Sequence, residues 1–198
     1  MAREGDLPGV AFRPLPYVER LEPRPRDAVD LVVIHCTELP DLATAREYGE
    51  IIHYPASETG NSGHCYVDRD GTVQQWVPLD RVAHHVRGLN RRSVGIELVN
   101  RGRWPDWYST GAQARTEPYP AAQIEALIAL LDTLRTALPG LAALAGHEDL
   151  DREEVPASND PDRHVRRKRD PGPDFPWERV VPASGLERWT SPPPDRER

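Results

Sequence analysis

Three polar residues stand where apolar, strand-like runs end. Leu31-Val-Val-Ile-His-Cys36 delivers His35, Ser93-Val-Gly-Ile-Glu-Leu98 carries Glu97, and the short run Ala142–Ala145 leads into Gly146-His-Glu-Asp149 with His147. Alternate residues of a strand share a face, so His35 lies on the face of Leu31 and Val33. Taken alone, either histidine serves more readily as a hydrogen-bonded core residue than as a metal ligand. Arg167-Lys-Arg-Asp-Pro-Gly-Pro-Asp-Phe-Pro-Trp177 adds a third feature. Prolines flank a glycine directly after Asp170, which presents that carboxylate on stiff backbone. Two histidines and one carboxylate form a common catalytic zinc shell, with the fourth position left for water. An ordinary loop with helix caps is the other reading of that turn.

The elements that must position these groups alternate along the chain. The β-branched run 31–36 reads as a buried strand. Asp41 caps a helix expected to run to about His53, with Leu42, Ala45 and Ile52 inward. Residues 64–68 and 72–77 flank Arg69-Asp-Gly71, a hairpin signal through its Asp-Gly turn. Val82–Val86 is expected as a short strand. Ser93–Leu98 alternates, with Val94, Ile96 and Leu98 on one face and Gly95 and Glu97 on the other. From Pro120 to Leu138, the residues Ile124, Leu127, Ile128, Leu131, Leu134 and Leu138 recur at helical spacing until Pro139-Gly140 stops the helix. Interleaved strands and helices predict a single α/β domain, a central mixed sheet flanked by helices with the site at strand ends.

Composition bounds the rest. The 198 residues suit one generous domain, and 38% hydrophobic content supports one core. No run approaches the roughly 20 apolar residues of a membrane span. A net charge of −7 argues against nucleic acid as the partner. Cys36 and Cys65 make no disulfide framework and read as buried thiols. Of the basic residues 24 are arginine and one, Lys168, is lysine. Five prolines within 1–29 and nine within 156–198 mark both ends as irregular, giving a proline-rich N-terminal segment 1–29, a domain over 30–182 and a tail over 183–198.

Five motifs in order carry a resemblance: Val33-Ile-His-Cys-Thr37, Ser62-Gly-His-Cys-Tyr-Val-Asp-Arg-Asp-Gly71, Ser93–Leu98, Gly146–Asp149 and Lys168-Arg-Asp-Pro-Gly-Pro173. Over about residues 30–180 the chain resembles the zinc-dependent N-acetylmuramoyl-L-alanine amidases, relatives of peptidoglycan recognition proteins. Glu97-Leu-Val-Asn-Arg-Gly102 and Asp170–Trp177 liken it to the broad-specificity and 1,6-anhydro-muropeptide amidases of Gram-negative bacteria. The resemblance implies that His35, His147 and Asp170 hold Zn2+, that Glu97 is the catalytic acid, and that Lys168 assists beside the metal. An ammonium is not interchangeable with a guanidinium, which would explain one lysine in an arginine-rich chain; chance is the alternative. The implied substrate is peptidoglycan or a muropeptide, cut between the lactyl group of N-acetylmuramic acid and L-alanine.

The same likeness frames weaker expectations. His85 is expected as a substrate-binding residue: it sits where the family carries a Trp-His-Ala-Gly-like segment, although here the chain reads Ala83-His-His-Val-Arg-Gly88. Arg101, Arg103, Trp104, Trp107, Tyr108 and Tyr119 are expected as a substrate rim, with an ordinary surface loop equally open for each. His64 is expected either to line the cleft or to be structural. Asp151–Arg167 is longer than the family's usual connection and is expected as a lid, a specificity loop or a functionless excursion. A muropeptide-recognition protein that does not cut, and a zinc hydrolase of another amide, are the competing functions. Met1–Pro8 shows no apolar signal region, which favours a cytoplasmic enzyme; a leader upstream would place it in the periplasm. Nothing in the sequence demands more than a monomer.

Overall fold

The computed structural model describes residues 7–192, so the start of the expected N-terminal segment and the end of the expected tail lie outside the described residues. Among the described residues nine strands and four α-helices follow in chain order: β1 (Ala11–Phe12), β2 (Leu31–Cys36), α1 (Leu42–Glu50), β3 (Cys65–Val67), β4 (Val73–Gln75), β5 (Ser93–Leu98), α2 (Ala121–Ala137), β6 (Ala143–Gly146), the one-turn α3 (His147–Leu150), β7 (Glu154–Ala157), β8 (Asp160–Arg166), α4 (Trp177–Ser184) and β9 (Glu187–Trp189).

Seven strands form one mixed sheet in the order β1-β4-β3-β5-β2-β6-β9, in which β3–β4 is antiparallel and the other pairs are parallel. Every residue of β2 is buried, as expected of a central parallel strand covered on both faces. One face carries Val32, Ile34, Val94, Ile96 and Leu98 against Ile124, Leu127, Leu131 and Leu134 of α2. Burying each such side chain contributes about 1.5–3 kcal/mol. The opposite face carries Leu31, Val33, Ala143 and Ala145 in a smaller cluster, and on that face the two central strands end in His35 and Glu97.

Several sequence expectations need correction. α1 is capped as expected, Asp41 Oδ1 accepting the Thr44 N–H at 2.7 Å, but it stops at Glu50 and leaves Ile52 44% exposed rather than inward. Residues 82–86 form no strand, because the His85 and Val86 N–H groups donate to Asn90 Oδ1 rather than to a neighbouring strand. The proline-rich N-terminal stretch is short on regular structure but packs closely: Leu15, Tyr17, Val18 and Leu21 are buried, and β1 pairs with β4. Within the expected C-terminal tail, β9 pairs with β6 at the sheet edge. Cys36 and Cys65 are buried free thiols.

Candidate active site

The site is built at the carboxyl ends of β2, β5 and β6, where parallel α/β sheets present their loops. The β2–β5 register sets His35 directly opposite Glu97, and the β2–β6 register sets Ile34 opposite Gly146, so that His147 follows at the next rung as the first residue of α3. The turn carrying Asp170 is fastened beside them. Glu148 N–H donates to the Asp170 carbonyl at 2.9 Å, and Tyr119 Oη–H to the Pro171 carbonyl at 2.7 Å. Gly172, at φ 87°, makes the left-handed bend that the Pro-Gly-Pro sequence anticipates.

The result is a convergence of three donor atoms. Asp170 Oδ2 lies 2.9 Å from His35 Nδ1 and 3.0 Å from His147 Nδ1, and all three residues are buried. Their ligand atoms all lie within 4.8 Å of one another, a His-His-Asp triad able to hold a metal ion. A tetrahedral ion with bonds of about 2.0–2.1 Å needs ligand atoms about 3.3 Å apart, so this donor set fits zinc with small adjustment. Glu97 Oε1 stands 4.0 Å from His35 Nδ1.

Charge follows from this packing. Burial alone would raise Asp170, but the His147 and His35 rings against it hold it well below the usual carboxylate range. Burial, and after it His147, lowers His35 to about 4 although Asp170 opposes the shift. Burial pushes Glu97 up to about 8, the Asp170 carboxylate adds to the rise, and Lys168 pulls it back.

A cavity of about 690 Å³ opens over the triad, and Glu97, Lys168 and His85 line it. Of the expected rim, Arg103, Trp107 and Tyr108 line it while Arg101, Trp104 and Tyr119 do not, and His64, expected either to line the cleft or to be structural, does not line it either. His64 is fully buried beside His85, their ring centroids 5.6 Å apart: Gly95 N–H donates to its Nδ1 at 3.1 Å, and its Nε2 lies 2.8 Å from the buried Arg24 guanidinium. Trp104 packs edge-on against Trp107. Arg103 does line the cavity but is only 2% exposed. It pairs bidentately with Glu38 at 2.6 and 2.8 Å and donates to the Arg166 and Arg167 carbonyls at 2.8 and 3.2 Å. Its donors are committed to the protein rather than to a ligand.

Several lining residues carry no local signal of their role. Glu38, at φ 49°, Tyr48, Tyr66 and Arg87 reach the cavity from loops or from elements whose own periodicity concerns the core. The long 151–167 segment folds into the β7–β8 hairpin and is tied down along its length. Ser158 N–H donates to the Tyr108 carbonyl at 2.9 Å, Thr110 N–H to Asn159 Oδ1 at 2.9 Å, and Arg166 to the Glu148 carbonyl at 2.6 Å. At its base Glu153 lies 2.8 Å from Arg87 and 2.9 Å from Arg167, and Arg167 also pairs with Asp151. So many ties hold the hairpin in place, and of the 151–167 segment Arg167 alone lines the cavity.

Comparison with known proteins decides the family. Residues 25–173 match the N-acetylmuramoyl-L-alanine amidase family. The chain belongs to it. The 1,6-anhydro-N-acetylmuramyl-L-alanine amidase AmpD of Enterobacter cloacae is 33% identical over 141 residues, 67% of this chain and 59% of that protein. The N-acetylmuramoyl-L-alanine amidase AmiD of Escherichia coli K12 is 33% identical over 173 residues, 75% of this chain and 55% of that protein. The chain thus spans less than two thirds of these relatives' lengths. Solved structures carry the same fold. An AmpD structure superposes with a TM-score of 0.62 at 27% identity, covering 92% of this chain and 99% of that one. E. coli AmiD in complex with anhydro-N-acetylmuramic acid-L-Ala-D-γ-Glu-L-Lys gives 0.57 at 25% identity, covering 83% of this chain and 59% of that one. Among the described residues no helix is long and apolar enough to cross a membrane.

Proposed function

We propose that this amidase-family chain is a zinc hydrolase of the amide between the lactyl group of N-acetylmuramic acid and L-alanine, acting on muropeptides such as the anhydro form released in wall turnover. The observation that carries the reading is the meeting of His35 Nδ1, His147 Nδ1 and Asp170 Oδ2 beneath a large cavity, with Glu97 4.0 Å from His35. Zinc held there supplies Lewis-acid polarisation and brings the pKa of water towards 7.

The protein's own groups do the rest. Glu97 accepts the proton of the attacking water and returns it to the leaving amine of L-alanine. A carboxylate that burial pushes up to about 8 is basic enough for that exchange, and a cation on the triad would join Lys168 in drawing it down towards neutrality. Lys168 lines the same cavity and offers a compact ammonium where the carbonyl oxygen gains negative charge. The buried Glu38–Arg103 pair, through the Arg166 and Arg167 carbonyls, keeps the segment that carries Lys168 and Asp170 in place.

The test is mass spectrometry of products from a purified anhydro-muropeptide and from intact sacculi, with and without chelator. Free stem peptide that disappears on chelation supports the proposal. Release from the small substrate alone points to cytoplasmic recycling, and release from both points to a wall enzyme. Binding without cleavage by the zinc-loaded protein would overturn the proposal in favour of a recognition role.

A further inference from the structure

We propose that His85 is a positioning residue for the metal site: its ring accepts the outward N–H of His35 and passes the restraint through Ser93 to the main chain. The proposal rests on the triad holding a metal. With His35 Nδ1 turned to Asp170, the other ring nitrogen, Nε2, lies 3.0 Å from His85 Nδ1. A ligand that gives its Nδ1 lone pair to a metal must carry its proton on Nε2, so His35 donates and His85 Nδ1 accepts. His85 then carries its own proton on Nε2, 3.2 Å from Ser93 Oγ. The Ser93 hydroxyl donates onward to the Leu89 carbonyl at 2.8 Å. All donors in this chain then point the same way, from His35 to the Leu89 carbonyl. Both His85 nitrogens are engaged within the protein, which argues against a substrate contact through either.

The surrounding sequence is shaped to seat this ring. A Cβ on Gly95 would come within 2.7 Å of His85 Cγ and Nδ1, so the ring lies against β5 at a position where only glycine leaves room. Asn90 Oδ1 accepts the N–H groups of His85 and Val86 at 3.0 and 2.8 Å, pinning a stretch of backbone that no strand holds. The His35 and His85 rings meet at 83° with centroids 5.2 Å apart. That crossing fixes the rotation of the His35 ring as well as its tautomer, the two properties that aim Nδ1 at the ion.

The experiment is zinc affinity, by competition with a chromogenic chelator, for the full chain and three variants, with thermal unfolding of the metal-free proteins as a fold control. His85→Leu removes the acceptor and is expected to weaken zinc about 10–100-fold. His85→Asn places an amide oxygen near the position of Nδ1 and is expected to recover most of that loss. Ser93→Ala leaves His85 in place without its anchor and should lose less than His85→Leu. Equal zinc affinity in His85→Leu and the parent would overturn the proposal, as would a His85→Asn variant no better than His85→Leu with a folded control. A parent chain that binds no zinc would instead sink the metal-site reading.

Discussion

Glu97 and Lys168 share a cavity with the triad yet carry opposite demands, and single substitutions separate them. Glu97→Gln keeps the size and hydrogen-bonding capacity of the side chain but cannot exchange a proton. It should retain zinc by elemental analysis and lose about 10²–10⁴ in turnover, the range of a general acid–base group. A variant that cleaves muropeptide at the parental rate would remove Glu97 from the chemistry. Lys168→Arg keeps the charge but spreads it over a planar fork. If the ammonium meets the developing oxyanion, kcat should fall by about 10²–10³ with little change in KM. An unchanged kcat would show that any cation suffices there. His35→Ala should leave two ligand residues and lose zinc; full zinc in that variant would break the ligand assignment.

At the level of elements, a buried polar joint braces the cleft alongside its apolar contacts. Glu38 leaves the end of β2 in a left-handed conformation, and its carboxylate takes both arms of Arg103, which in turn grips the backbone just before Lys168. Removing one member of such a pair leaves a buried charge without its partner. Arg103→Met should therefore destabilise the fold by about 3–5 kcal/mol, read from urea unfolding. Adding Glu38→Gln should restore part of that loss, because the stranded charge is then gone. Equal stability of the parent and the single variant would mean that water already screens Glu38. For the hairpin, Asn159→Ala cuts the side-chain tie to Thr110. Limited proteolysis should then open cleavage within 154–166 while the rest of the chain resists, and an unchanged pattern would show that the remaining ties suffice.

For the whole molecule, the metal is expected to act as a staple as well as a reagent. The triad draws one ligand from the end of β2, one from α3 and one from the 167–177 turn, which lie far apart in the chain. A ligand that binds only the folded state stabilises it by RT ln(1 + [L]/Kd), about 4 kcal/mol when free zinc exceeds Kd roughly a thousandfold. For a domain of this size that corresponds to about 8–16 °C in Tm. Scanning calorimetry with zinc and after chelation should show a gap of that order, and the gap should vanish in His147→Ala. A parent whose Tm ignores chelation would mean that the triad holds no metal under those conditions.

Periodicity and motif spacing made the central strands, helix α2 and the candidate ligands readable in advance. Strands β2 and β5 and the long helix repeat their apolar residues at the period of the element they form, and that signal is local. The same alternation set His35 with Leu31 and Val33 and Glu97 with Gly95 within their own strands, and the β2–β5 register then brought the two onto one face. The irregular ends, by contrast, carry no period. Leu15, Tyr17 and the β9 residues read as loop because prolines break the pattern around them, and only packing against α1 and pairing with β6 gives them structure. Residues 82–86 alternate like a strand, yet the Asn90 side chain captures their N–H groups. Long-range contacts alone settled that Arg103 is a buried brace, that His64 is a buried partner of Arg24 and Gly95 and that His85 stands beside His35. A side chain's partner depends on what the rest of the chain brings beside it, and residue type with local spacing does not encode that meeting.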